Sequence, residues 1–171
     1  ETIVVFTSDH GEMAGDHGRI YKRTFHESAL RVPLILNWPG KIPAGTVCDA
    51  MVETIDVGPT LLDLLELDQL QMSLGQSLEH LFAVPTANHR TEVLSEIYYG
   101  DTRNTMVKTE SHKFVMDENG MGYMLYDMQK DPDEQHNLIG DPEHQNTENK
   151  MRDLMLRRLT TSAFVMDTVN V

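Results

Sequence analysis

Four apolar residues in a row, Ile3-Val4-Val5-Phe6, open the chain. An uninterrupted, β-branched run of this kind predicts a strand buried on both faces, as in parallel sheets. Val32-Pro33-Leu34-Ile35-Leu36 repeats the pattern, with Pro33 near a strand start. Residues 8–31 between them form a long glycine-punctuated loop with at most a short helix. Turn chemistry follows in Trp38-Pro39-Gly40-Lys41-Ile42-Pro43-Ala44-Gly45, and residues 46–52 read as a further strand. Leu61, Leu62, Leu64 and Leu65 then give a helix its apolar face. Thr54 or Asp56 can cap that helix and Pro59 fits its first turn. A polar loop and a helical turn at residues 77–82 end this half.

From about residue 90 the pattern shortens. Residues 92–99, 104–108, 113–116 and 123–126 are short strand candidates, with Asp117-Glu118-Asn119-Gly120 as a hairpin turn between the last two. Asp131-Pro132-Asp133-Glu134 starts an acidic loop. Met151, Leu154, Met155 and Leu159 have the spacing of an amphipathic helix over residues 148–159. The last residues read as a loose tail or a late strand. The expected fold is α/β: residues 1–88 hold the end of a mainly parallel sheet domain. Residues 89–171 form an antiparallel-sheet subdomain closed by a C-terminal helix.

Composition narrows the partners. Hydrophobic residues make up 40% of the 171, enough for a core. The net charge of −13 argues against nucleic acid. That charge is uneven. Arg19, Lys22, Arg23 and Arg31 cluster in the first loop, whereas residues 131–149 hold six acids and no Lys or Arg. A local positive field can therefore persist where an anion binds. Cys48 stands alone, which excludes an internal disulfide, and reads as a partly buried strand thiol. No run approaches a membrane span. The chain starts at Glu1 and enters a strand at once, which reads as a cut through a larger protein.

The chemistry concentrates in residues 7–33. Asp9 and His10 stand where the first strand ends, with Gly11 directly after. Ligands of open α/β sheets gather at such carboxyl ends. A carboxylate suits a hard cation and imidazole a borderline metal. On spacing alone the plainer reading stays ahead, with Asp9 capping a turn and His10 at the surface. Lys22 offers a compact charge to an oxyanion, or is an ordinary solvated lysine. Asp16-His17-Gly18 repeats the tripeptide and reads as a turn with His17 lining the cleft. His26 and Glu27 read as structural, Glu27 pairing with Arg31 or Lys22. Glu96, Tyr98, Tyr99 and Arg103 are cleft-lining candidates for which structural roles are expected.

Together these residues resemble the sulfatase family of the alkaline phosphatase superfamily. Thr7-Ser8-Asp9-His10-Gly11-Glu12, Gly15-Asp16-His17-Gly18, Lys22, Glu27 and Arg31-Val32-Pro33-Leu34-Ile35 follow the family's order and spacing. So do Trp38-Pro39-Gly40-Lys41-Ile42, Thr54-Ile55-Asp56-Val57-Gly58-Pro59-Thr60-Leu61-Leu62-Asp63 and Gly75-Gln76-Ser77-Leu78. Leu125-Tyr126-Asp127, Asp131-Pro132 and Glu134-Gln135-His136-Asn137-Leu138 complete the match. The resemblance implies an alkaline-phosphatase-like sheet and a sulfuric ester hydrolase acting on a small-molecule or saccharide sulfate ester. Asp9 and His10 match a late pair of metal ligands. Lys22 matches the lysine that contacts the sulfate and the bridging oxygen. The implied metal is divalent: Ca²⁺ first, with Mg²⁺, Mn²⁺ or Zn²⁺ as alternatives. The family's formylglycine motif, Cys/Ser-x-Pro/Ala-x-Arg, is absent, and Cys48 does not fit it. The chain thus resembles the C-terminal portion of a sulfatase, inactive by itself. Periplasmic or secreted placement would follow from the family. Exposed strand edges make self-association of the isolated chain an expectation. Two alternatives stay open: a phosphonate or phosphate ester hydrolase of the same superfamily, and a non-catalytic binding module.

Overall fold

The structure is a computed structural model that describes residues 2–167. Strand β1 (Val4–Thr7) pairs antiparallel with β2 (Leu34–Asn37), Phe6 lying opposite Ile35. The intervening loop simply turns the chain back, whereas a parallel neighbour would need a crossover. Among the described residues no strand covers this pair, so its apolar residues are not buried as expected. Val4 is 52% exposed, Phe6 59% and Ile35 57%.

Residues 46–52 form no strand. Gly45 turns the chain at φ +74°, residues 46–49 are exposed, and no ladder partner meets them. Cys48 is correspondingly exposed, its Sγ 3.0 Å from the Pro85 carbonyl oxygen, rather than packed in a sheet. A 3-10 turn (Thr54–Asp56) leads into α2 (Val57–Leu64), which follows the four-residue α1 (Glu27–Leu30) of the first loop. Neither Thr54 nor Asp56 donates or accepts as a conventional side-chain cap of α2. Glu53 forms the capping box with Asp56 instead, and Asp56 is drawn into a buried cluster. Helix α3 (Glu79–Ala83) closes the first half.

The second half is an antiparallel meander of β3 (Glu92–Tyr99), β4 (Thr102–Thr109), β5 (His112–Met116) and β6 (Gly122–Asp127). Alternation along each strand gives the sheet two apolar faces. Val107, Phe114, Met116 and Leu125 face α4 (Gln145–Asp167) and pack on its Met151 and Met155. Each fully buried side chain here contributes roughly 1.5–3 kcal/mol. Met106 and Val115 project to the other face and pack on Phe25 of the first loop. The hairpin turn forms as expected: Asp117 Oδ1 accepts from the Asn119 and Met121 N–H groups, and Gly120 takes φ +77°. Helix α4 starts earlier and runs further than its apolar spacing indicates. Residues 168–171, the end of the expected tail, lie outside the described residues.

The acidic loop is not simply a solvated stretch. Asn137 accepts from the Leu125 N–H and donates to the Tyr123 carbonyl, and Leu138 N–H donates to Leu125 O. The loop is thereby laid along the free edge of β6, which carries Glu134 inward to 3% exposure.

Candidate metal and sulfate site

Asp9, His10 and Lys22 meet beyond the end of β1. Gly11 sets the turn that aims the first two. Its N–H donates to Ala29 O at 2.8 Å, and a Cβ there would lie 2.0 Å from the Ser28 carbonyl oxygen. Only glycine allows this approach to α1. His10 Nδ1 donates to Gly11 O at 2.7 Å, which leaves Nε2 as the unprotonated acceptor nitrogen. Nε2 lies 3.4 Å from Asp9 Oδ2 and in contact with Lys22 Nζ. The Asp9 side chain is 82% exposed. Its pKa lies below the usual carboxylate value: desolvation pushes it up, but His10, backbone N–H groups and Lys22 together pull it further down. Asp9 is therefore an anion with open coordination positions.

Lys22 is presented by a strained turn. Tyr21 and Arg23 on either side have φ +67° and +74°, in the left-handed region that side chains rarely adopt. Two contacts hold the turn from behind. Met13 N–H donates to Tyr21 O at 3.0 Å, and the Tyr21 N–H donates to a Glu12 carboxylate oxygen.

Alternate residues beyond Lys22 then dock on the C-terminal sheet. Arg23 stacks over Tyr99, its guanidinium carbon 4.3 Å from the ring centre. Phe25 enters the cluster of Met106 and Val115. Glu27 pairs with Lys108 at 2.7 Å and Lys113 at 2.6 Å, not with Arg31 or Lys22 as its sequence position indicates. Lys113 is fully buried. It also donates to Phe25 O at 2.9 Å and to Glu134, while Glu134 Oε2 accepts from the Glu27 N–H at 2.8 Å. Burial pushes Glu27 upward in pKa, and the two lysines outweigh it and hold the carboxyl ionised.

His26 is a buried residue beside this clamp. It hydrogen-bonds Thr24 Oγ1 and stacks on His17 with ring centres 3.9 Å apart. Burial, reinforced by His17, Lys113 and Arg19, lowers its pKa to about 4, so the ring is neutral at pH 7. His17 packs on His26, and neither ring reaches the Asp9, His10 and Lys22 cluster through a hydrogen bond. Glu96 pairs with Arg103, a structural role, whereas Tyr98 and Tyr99 are exposed along an open cleft of about 1390 Å³. Asp9, His10, Lys22 and Arg23 line the same cleft.

A carboxylate and an unprotonated imidazole nitrogen fit one side of a divalent metal's shell. Among the described residues, no group of three or more His, Cys, Asp or Glu could hold a metal. These two donors thus form part of a shell. The motif residues were visible in the sequence, and Tyr99 was a cleft-lining candidate, but Glu12 and Lys113 were not singled out for roles here. Only their partners in space give them a role.

Comparison with known proteins is decisive for the family. Residues 15–161 match the family model described as N-sulphoglucosamine sulphohydrolase, C-terminal. The chain belongs to the sulfatase family. The arylsulfatase of Clostridium perfringens is 31% identical over 161 residues, covering 92% of this sulfatase chain and 34% of its own length. The structure of BT4656 in complex with its substrate D-glucosamine-2-N,6-O-disulfate superposes with a TM-score of 0.85. That likeness is 27% identical and covers 95% of this chain and 35% of the other. The phosphonate monoester hydrolase of Agrobacterium radiobacter aligns with a TM-score of 0.80 at 25% identity, over 94% of this chain and 35% of its own. The chain thus spans about a third of the length of the curated relatives it matches. No helix among the described residues is long and apolar enough to cross a membrane.

Proposed function

We propose that this chain is the C-terminal part of a metal-dependent sulfuric ester hydrolase acting on a sulfated saccharide. In this reading Asp9 and His10 supply two metal ligands and Lys22 binds the sulfate. The observation that carries it is the meeting of an ionised carboxylate, a lone pair on His10 Nε2 and a lysine ammonium at one open point. A bound divalent cation, Ca²⁺ first and Mg²⁺, Mn²⁺ or Zn²⁺ otherwise, would supply Lewis-acid polarisation of the sulfate oxygens.

The chain's own residues do the rest. Gly11 and α1 hold Asp9 and His10 at the mouth of the cleft. The Gly11 carbonyl keeps the His10 proton on Nδ1, so Nε2 is the donor atom. Lys22 places its charge where negative charge grows on the departing oxygen. The strained turn and the clamp behind it keep that ammonium in place without reorganisation. The remaining ligands and a formylglycine nucleophile would come from outside residues 1–171, so the isolated chain is expected to be inactive. A phosphonate monoester hydrolase is the second reading. It is favoured by the likeness to such an enzyme, at a somewhat lower TM-score, since a metal and a lysine suit phosphoryl oxygens as well.

Lys22→Ala and Asp9→Ala in the full-length enzyme test the assignment, with aryl sulfate and phenyl phosphonate as paired substrates. Lys22→Ala is expected to lower kcat/KM at least ~100-fold with an unchanged melting temperature. Asp9→Ala is expected to lose bound metal and activity together. Unchanged kcat/KM in the first, or full metal content in the second, would remove that residue from the site. A wild-type preference for the phosphonate would select the second reading.

A further inference from the structure

Arg23 has a placement that its neighbour Lys22 does not explain. Its guanidinium carbon lies over the ring of Tyr99, at the tip of the β3–β4 hairpin, 4.3 Å from the ring centre. Tyr99 itself is 61% exposed. Stacking occupies the guanidinium face and leaves its N–H edges open. Among the described residues no carboxylate lies within ion-pair distance of Arg23, although Glu96 and Arg103 pair on the neighbouring tip. Its backbone is held at φ +74°. Both Arg23 and Tyr99 line the cleft that also holds Asp9, His10 and Lys22. A cation set against an aromatic ring, without a carboxylate partner among the described residues, and one residue from the lysine proposed to bind sulfate is suited to receive an anion. The planar fork of arginine recognises a carboxylate or a sulfate by paired hydrogen bonds, which a solvated lysine does not.

We infer that Arg23, oriented by Tyr99, is a specificity-determining residue that binds a second anionic substituent of the substrate, a sulfate or carboxylate beside the sulfate that is cleaved. The inference rests on the sulfatase reading and names its substrate class: a saccharide carrying at least two negative charges on neighbouring positions. Tyr99 acts as a positioning residue. It offers Arg23 a π face and restricts the side chain to the cleft wall. In a chain of net charge −13, this pair and Lys22 form a local positive field that draws such a dianion to the cleft.

The test compares substrate pairs in the full-length enzyme. Glucosamine 6-O-sulfate and glucosamine-2-N,6-O-disulfate ask about a second sulfate. A hexose 2-O-sulfate and the matching hexuronic acid 2-O-sulfate ask about a carboxylate. Wild type is expected to favour the doubly charged member of one pair. Arg23→Gln is expected to reduce that kcat/KM ratio by roughly 10- to 100-fold, the size of a hydrogen bond to a charged group. Arg23→Lys is expected to fall between. Tyr99→Leu is expected to lower the ratio as well, mainly through KM, and Tyr99→Phe to retain it, because the ring face and not the hydroxyl does the orienting. The pair that responds identifies the anion. A wild type with no preference in either pair overturns the inference, as does a ratio that Arg23→Gln leaves untouched. A wild type that hydrolyses aryl sulfate but shows either of those results keeps the sulfatase reading. One that cleaves no sulfate ester at all overturns both.

Discussion

Asp9 and Asp56 are both ionised aspartates with a histidine and a cation beside them, yet their surroundings are opposite. Asp56 is fully buried. It accepts from Arg90 Nε at 3.0 Å, from the Glu53 and Gln76 N–H groups at 2.8 Å each, and lies 3.3 Å from His89. Burial pushes its pKa up, and Arg90 with those N–H groups overcomes this and holds it down. Every acceptor position is spent on the protein. Asp9 carries similar charge neighbours but leaves its oxygens to solvent. A saturated charge ties elements together; an unsaturated one, held rigidly, is available for a ligand. Asp56 joins α2 to the residues leading into β3. Asp9 joins nothing.

Substitutions should separate the two. Asp56→Ala takes from buried Arg90 its closest carboxylate, leaving only Glu53 at 3.4 Å, and is expected to cost about 3–5 kcal/mol of stability, read as a lower urea midpoint, whatever happens to turnover. A loss under about 1 kcal/mol would place Asp56 with the surface pairs and break the contrast with Asp9, whose removal should leave the midpoint unchanged.

Mild acid should act first on a buried imidazole. His26 has a folded pKa of about 4 against 6.5 when exposed. The unfolded chain therefore takes the proton first. Its contribution to stability is complete above pH 6.5 and falls as the pH drops toward 4. Urea midpoints measured at pH 7 and pH 5 should show this decline, and His26→Gln should flatten it. An unaltered slope in that variant would assign the decline to other groups. The smallest expected effect concerns β1 and β2. Their exposed Val4, Phe6 and Ile35 should make the isolated 171-residue chain self-associate. Light scattering that reports a monomer at all concentrations would show these side chains to be harmless at the surface.

Legibility followed the range of the interactions. The four strands of the second half were readable because alternation and turn residues are local signals, and the Asp117 hairpin needs only four residues. That Asp9, His10 and Lys22 lie close together was readable because one short segment carries all three. The clamp was not. Glu27 and Glu134 are 107 residues apart, and nothing near either announces that Lys113 lies between them. Residues 46–52 failed for the complementary reason: their composition favours a strand, but a strand needs a ladder partner and none is present among the described residues. The same shortage of neighbours leaves the apolar run of β1 uncovered. The expected Glu27–Arg31 pairing failed because a short-range partner was assumed where buried Lys113 and half-buried Lys108 waited on the sheet.

The neck of the first loop, where Met13 meets Tyr21 and Gly11 meets Ala29, divides residues 8–31 into two zones of unequal freedom. Between Tyr21 and Ala29 every second residue has an appointed seat on the sheet. Adding or removing one residue there would send Arg23, Phe25 and Glu27 to the wrong side. Residues 14–20 form a tip beyond the neck, with Ile20 69% exposed. That tip is held by fewer contacts, Asp16 accepting from the Ser28 hydroxyl and His17 stacking on His26. Kindred chains should therefore show a constant count from Tyr21 to α1.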